Sequence, residues 1–242
     1  MFLKRLKYFL VQLDFIISKS FFFSQSRLSQ ILKDQYNYIF NNSLKVNNFK
    51  PIKGKIEIKD FNYEIGKEKR ADYSYSLLFE KNPDFINSII EENRSAIENF
   101  IGKNFLQDDV MIYRNYKIEK FLSKHDVYSN IWHMDSHDGN RLIRIFVLLS
   151  DVTDNDGPLF YLDREGTKKN WEKLRERWTF DKKNSDFDYP EQKIMTGNKG
   201  DYLLLNTSSC AHRASIPENF RDIMALTLYP SWRKHKKRKS YI

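Results

Sequence analysis

Ile131-Trp-His-Met-Asp-Ser-His-Asp138 is followed, three residues on, by an apolar run over 142–150. The first stretch sets two histidines and two carboxylates within the six residues from His133 to Asp138. In a His133-x-Asp135 pair on extended chain both side chains point to the same face, because side-chain direction alternates with period two. Imidazole and carboxylate can then close on one ion. A third ligand from elsewhere would complete a two-histidine, one-carboxylate set on one face of a metal, with the remaining positions open to other reactants. Residues 127–133 lead into the motif as a strand and 142–150 follow it as a long buried one.

Further strands are expected over 110–118, 159–162, 201–206 and 223–229. Short strands with few helices between them indicate an antiparallel sandwich or barrel. The charged gap 166–192 carries Trp171, Leu174 and Trp178 at helical spacing, so it reads as an insertion with a helix that covers the site mouth. Upstream, 26–40 has a helical pattern, 41–51 is a polar loop, and 55–61 alternates polar and apolar like a strand with one wet face. Asn82-Pro83 starts a helix that runs through Phe85, Ile89, Ile90, Ile97, Phe100 and Ile101 to a stop at Gly102. The expected organisation is mainly β with helical additions: a mainly helical support region over 1–108, a catalytic core over 109–232, and a basic tail over 233–242.

A chain of 242 residues, 40% hydrophobic, is long enough to bury one sizeable core. Forty-one Lys plus Arg against 32 Asp plus Glu give a net charge of +9, which favours anionic partners. Apart from 4–7 and 233–239 the charges are mixed in sign, as on an ordinary solvated surface, so nucleic acid is not an expected partner. The single cysteine, Cys210, excludes an intrachain disulfide and a zinc site that needs two cysteines or more, and is read as packing. Residues 1–20 are too short and too polar to span a bilayer, and no small-x-small cleavage site follows them. Phe2, Leu6, Phe9, Leu10, Leu13, Ile16 and Ile17 instead trace an amphipathic helix. Two readings of it stand: a helix packed on the core, or, with Phe21, Phe22, Phe23 and the tail 234–239, a peripheral membrane contact. The expected compartment is cytoplasmic, either free or at the inner face of a membrane.

The third ligand must come from His125, His137, His212 or His235, the other histidines. His235 lies in the basic tail, and His125 precedes the motif strand. His212 follows the turn Gly200-Asp201 and a strand, where a later strand returns to the sheet edge, and is the best candidate. His137 and Asp138 compete, since alternation would place His137 on the face of His133 and Asp135; a turn over 136–140 would break that alternation and move both away from the metal. Arg221 opens the apolar strand 221–229, nine residues after His212, and its fork suits a carboxylate. Arg213, adjacent to His212, should point to the opposite face. Arg144 either points inward as a carboxylate partner or outward as a solvated charge.

The order Trp132-His133-Met-Asp135-Ser-His137-Asp138, Gly157-Pro158-Leu159, Gly200-Asp201-Tyr-Leu-Leu-Leu-Asn206, His212-Arg213, Arg221 resembles the phytanoyl-CoA dioxygenase family of Fe(II)- and 2-oxoglutarate-dependent oxygenases. The likeness spans about 110–230. It implies a double-stranded β-helix, the jelly roll of the cupin-like folds, packed by N-terminal helices. It further implies Fe(II) held by His133, Asp135 and His212, and 2-oxoglutarate with its far carboxylate on Arg221. Asn130, Tyr128 and Tyr113 are candidates for the near end of that cosubstrate, and His137 and Arg144 for the substrate. The expected reaction consumes O2 and hydroxylates a small, anionic or lipid- or sugar-linked molecule; Ala or Gly at Asp135 would instead open a halide position. One departure is plain: 162–166, Leu-Asp-Arg-Glu-Gly, lacks the histidine usual after the Gly-Pro-Leu strand. Two other classes stand beside the enzyme: a jelly-roll binding protein with a vestigial site, and a basic membrane- or nucleic-acid-associated protein.

Overall fold

The computed structural model describes residues 49–59, 61–71, 74–78, 83–108, 110–117, 130–135, 142–176, 188–230 and 236–237. The amphipathic helix over 2–17, the helical pattern over 26–40, His125, Tyr128, His137, Asp138 and most of the basic tail lie outside these residues. No helix among the described residues is long and apolar enough to cross a membrane.

Twelve strands and four helices follow one another along the described chain. Three strands come first, β1 (Ile52–Lys55), β2 (Glu64–Ala71) and β3 (Ser74–Leu78). Helices α1 (Phe85–Glu92) and α2 (Arg94–Ile101) come next. They are followed by β4 (Phe105–Gln107), β5 (Met111–Tyr116), β6 (Ile143–Leu148) and β7 (Leu159–Tyr161). Helices α3 (Arg164–Lys169) and α4 (Trp171–Glu176) precede β8 (Lys193–Met195), β9 (Asp201–Leu205), β10 (His212–Ala214), β11 (Phe220–Pro230) and β12 (Lys236–Lys237).

The large sheet runs β1-β9-β6-β11-β5-β3-β2, with β4 on the far end of β11 and β12 parallel to β4; the small one runs β10-β7-β8. An antiparallel bridge between His133 and His212 adds the segment 131–135 beside β10. From β5 onward the chain visits large sheet, small, large, small, small, large, small, large. That alternation winds two antiparallel sheets around one core and is the jelly roll.

Alternation along the strands fills the two layers. Phe146, Leu148, Leu203, Leu205, Ile223 and Ala225 face inward and meet Leu159, Tyr161 and Met195 from the small sheet. Their neighbours Ile143, Ile145, Val147, Leu204, Met224 and Leu226 face outward, under Phe85, Ile86, Ile89 and Ile90 of α1 and Ile97 and Ile101 of α2. Burial on both faces is why β6 reads as an unbroken apolar run. Each such fully buried side chain contributes about 1.5–3 kcal/mol.

Several expectations change. The first hundred residues hold three strands that extend the large sheet, so among the described residues the N-terminal region is sheet as well as helix. The 55–61 strand lies earlier, at β1; exposure still alternates through Lys59, but the last bond to the sheet is Ile56 N–H to Gly200 O, 3.0 Å. Gly200 (φ +95) could carry no Cβ there, since one would fall 2.1 Å from Ile56 O. The single helix ending at Gly102 is two, broken at Asn93, whose Nδ2 donates to Ile89 O at 2.9 Å and to Tyr202 Oη at 3.0 Å. The described part of the insertion backs the outer face of the small sheet rather than covering the site mouth. Leu174 of α4 joins Trp132, Leu162, Tyr189 and Ala211 there, because that face offers the apolar surface an amphipathic turn needs. Residues 236–237 of the basic tail pair in parallel with β4.

Candidate metal centre

The two histidines are neighbours through their backbones. His133 N–H donates to His212 O at 3.0 Å and His212 N–H donates to His133 O at 2.9 Å. Such a reciprocally bonded antiparallel pair sets side chains on the same side of the sheet, directly across from one another. Their rings lie 4.3 Å apart between centroids. Two residues on, Asp135 N–H donates to Thr207 O at 2.8 Å, which returns the carboxylate to the same face.

Three side chains converge as a result. His133 Nε2 is 3.9 Å from Asp135 Oδ1, and His212 Nε2 is 3.7 Å from Asp135 Oδ2. One ligand atom from each residue lies within 4.8 Å of the others. The far nitrogens are occupied: His133 Nδ1 lies 2.7 Å from Ile131 O, and His212 Nδ1 lies 3.1 Å from Cys210 O. A carbonyl accepts only from a protonated nitrogen, so both Nδ1 atoms carry the hydrogen and both Nε2 lone pairs face Asp135. Imidazoles oriented by a carbonyl behind them are the usual arrangement of metal-binding histidines.

Electrostatics agree with the geometry. Burial pushes the His212 imidazole down to about 3, with His133 acting in the same direction, so it is neutral at physiological pH. For Asp135, burial raises the carboxyl, but His212, Arg144 and His133 more than reverse this and leave it below its ordinary range. Asp135 Oδ2 is buried, and its close neighbour is the Arg144 guanidinium, an ion pair at 2.6 Å. An ionised carboxylate with one oxygen near each imidazole Nε2 fits a divalent cation, and the nitrogen-and-carboxylate donor set fits iron and its neighbours better than magnesium or calcium.

Arg144 points inward. It shares the inner face of β6 with Phe146 and Leu148; its Nη1 forms an ion pair with Asp135 Oδ2 at 2.6 Å, and its Nε donates to Thr227 Oγ1 at 3.1 Å.

Arg221 is 2% exposed and shares the inner face of β11 with Ile223 and Ala225. Its Nη1 donates to Gly157 O. Gly157 lies just before β7, whose Tyr161 is the partner of His212. Beside Arg221, Asn115 of β5 and Ser74 of β3 lie in cross-strand register on the same face, both buried.

Tyr113 sits opposite Ile223 and packs on the inter-sheet core, while Asn130 is buried three residues before His133. Arg213 points to the outer face, over the rings of Phe160 at 4.4 Å and Trp132 at 5.5 Å. Cys210 is core, its thiol raised to about 12 by burial. Thr227, Asn115 and Ser74 were not among the sequence candidates; parity with Arg221 along β11, and with Tyr113 along β5, is the signal that would have found the first two.

No family profile and no curated protein matches the sequence. Solved structures are similar to it. HygX from Streptomyces hygroscopicus, with nickel and 2-oxoglutarate bound, is 14% identical over 87% of this chain and 89% of that one, at a TM-score of 0.47. The nickel complex of ThoJ, a non-heme monooxygenase, is 15% identical over 61% of this chain and 54% of that one, at 0.38. EctD from S. alaskensis in its apo form is 15% identical over 68% and 60%, at 0.37.

Proposed function

We propose that this chain is an Fe(II)- and 2-oxoglutarate-dependent oxygenase of the phytanoyl-CoA dioxygenase type, acting on a small molecule. The observation that carries this reading is the convergence of His133 Nε2, Asp135 and His212 Nε2 with both Nδ1 atoms tied to carbonyls. His133, Asp135 and His212 would hold the metal, and Arg221 would receive the far carboxylate of the cosubstrate. Iron with 2-oxoglutarate would supply the oxidising power that puts one oxygen atom of O2 into a C–H bond as the cosubstrate becomes succinate and CO2.

The protein's own part is orientation and exclusion of water. The histidine pair holds two donors on one side of the small sheet, and the buried wall of Phe146, Leu148 and Leu159 keeps the inter-sheet space apolar. Within it a guanidinium grips a carboxylate far more strongly than in water. Because Asp135 is a carboxylate, the product is hydroxylated rather than halogenated. Anaerobic titration of the Fe(II)-loaded chain with 2-oxoglutarate should develop the visible charge-transfer band of the chelate, and His133→Ala should abolish it. A wild-type chain with neither the band nor any succinate formation under O2 would sink this reading.

A further inference from the structure

We infer that Arg144 is a positioning residue for Asp135, anchored on Thr227. The inference rests on the metal-centre reading above and adds to it a residue from a strand that holds none of the three ligands.

Arg144 and Thr227 face each other across β6 and β11 in direct register. Thr227 is 3% exposed, and its Oγ1 accepts from Arg144 Nε at 3.1 Å. A guanidinium is planar, so fixing Nε fixes the direction of the whole fork. The fork then meets Asp135 Oδ2 at 2.6 Å. Asp135 needs such a support. Its backbone is held by Thr207 O, but the carboxylate itself must turn about two side-chain bonds to stand between His133 Nε2 and His212 Nε2. The histidines gain their orientation from carbonyls behind the rings, whereas the aspartate gains it from Arg144. Both strands involved belong to the large sheet, so the carboxylate on a short segment of the small layer is braced from the opposite wall.

Supporting groups of this kind typically change metal affinity by about 10–100-fold when removed. The test is a Co(II) titration without cosubstrate, followed by the visible absorption of the bound ion, on wild type, Arg144→Met, Arg144→Lys and Thr227→Val. Metal-free chains are first matched by circular dichroism and thermal melting. Arg144→Met should bind Co(II) about 10–100-fold more weakly and with an altered spectrum. Arg144→Lys, which keeps the cation without the fork, should recover part of the loss. Thr227→Val, nearly isosteric and safe for the sheet, should shift both readouts in the same direction by a smaller factor. Wild-type affinity and spectrum in Arg144→Met overturn the inference, and so does tighter binding, since Arg144 would then act only as a repelling charge. A wild-type chain that takes up no Co(II) overturns the metal-centre reading itself, which separates the two failures.

Discussion

Asp222 receives Nε and Nη2 of Arg114, each at 2.6 Å, on the face of β11 opposite to Arg221. Tyr63 Oη adds a third donor at 3.0 Å, and Arg114 lies over the Phe220 ring at 4.1 Å. The backbone that presents Arg221 to the interior is therefore clamped from outside, one residue away.

Asp222→Ala should unfold more easily. Its carboxylate is 1% exposed, and removing one member of a buried pair costs about 3–5 kcal/mol; Arg114 is partly exposed, so about 3 kcal/mol is expected. For a chain of this size that corresponds to a drop in Tm of about 10 °C. Differential scanning calorimetry checks it, and a Tm unchanged within about 2 °C would show that the clamp contributes nothing.

Arg221→Ala should raise the KM for 2-oxoglutarate by about 30-fold or more, equivalent to about 2 kcal/mol, while leaving Co(II) affinity alone. Arg221→Lys should fall between, because it keeps the charge and loses the fork. Equal KM values in all three chains would remove Arg221 from the cosubstrate site.

Stability of the metal-free protein should rise with pH across the window from about 3 to 6.5. The His212 imidazole titrates near 6.5 when unfolded and is pushed down to about 3 by burial in the folded chain. Between those values the unfolded state binds a proton that the folded state does not, so acid favours unfolding and the stability from a neutral His212 is complete only above the window. Urea melts of wild type and His212→Asn across this range provide the check: the substituted chain should show a flatter profile, by on the order of a few kcal/mol.

Gly157→Ala should weaken both fold and cosubstrate binding. Gly157 has φ +71, and a Cβ would fall 2.6 Å from Pro217 N and 2.7 Å from Ser215 O. Strain at such a position costs on the order of 1–3 kcal/mol, and any shift displaces the carbonyl to which Arg221 donates. A lower Tm together with a raised KM for 2-oxoglutarate is expected; a normal KM in a folded chain would mean that the Gly157 carbonyl does not place Arg221.

The layered sheet was readable because strands β6, β9 and β11 carry apolar runs, and His133-x-Asp135 was readable because period-two alternation needs no tertiary information. His212 could be proposed but not placed: β10 has three residues, too few for a periodic signal, and only its backbone bonds to His133 bring it in. The side to which Arg144 points was hidden for a related reason. A strand buried on both faces shows no polar face, so nothing local distinguishes the inner row Arg144, Phe146, Leu148 from the outer row Ile143, Ile145, Val147. The break at Asn93 depends on Tyr202, 109 residues away, and the Asp222 clamp on Arg114 and Tyr63, contacts that no sequence window contains.

The reciprocal bonds between His133 and His212 tie the centre's assembly to a single event in folding. Two donors separated by most of the jelly roll are brought together by the pairing of β10 with the segment 131–135. The amide hydrogens of these two residues should therefore exchange with solvent at the same slow rate, since each is held by the other's carbonyl.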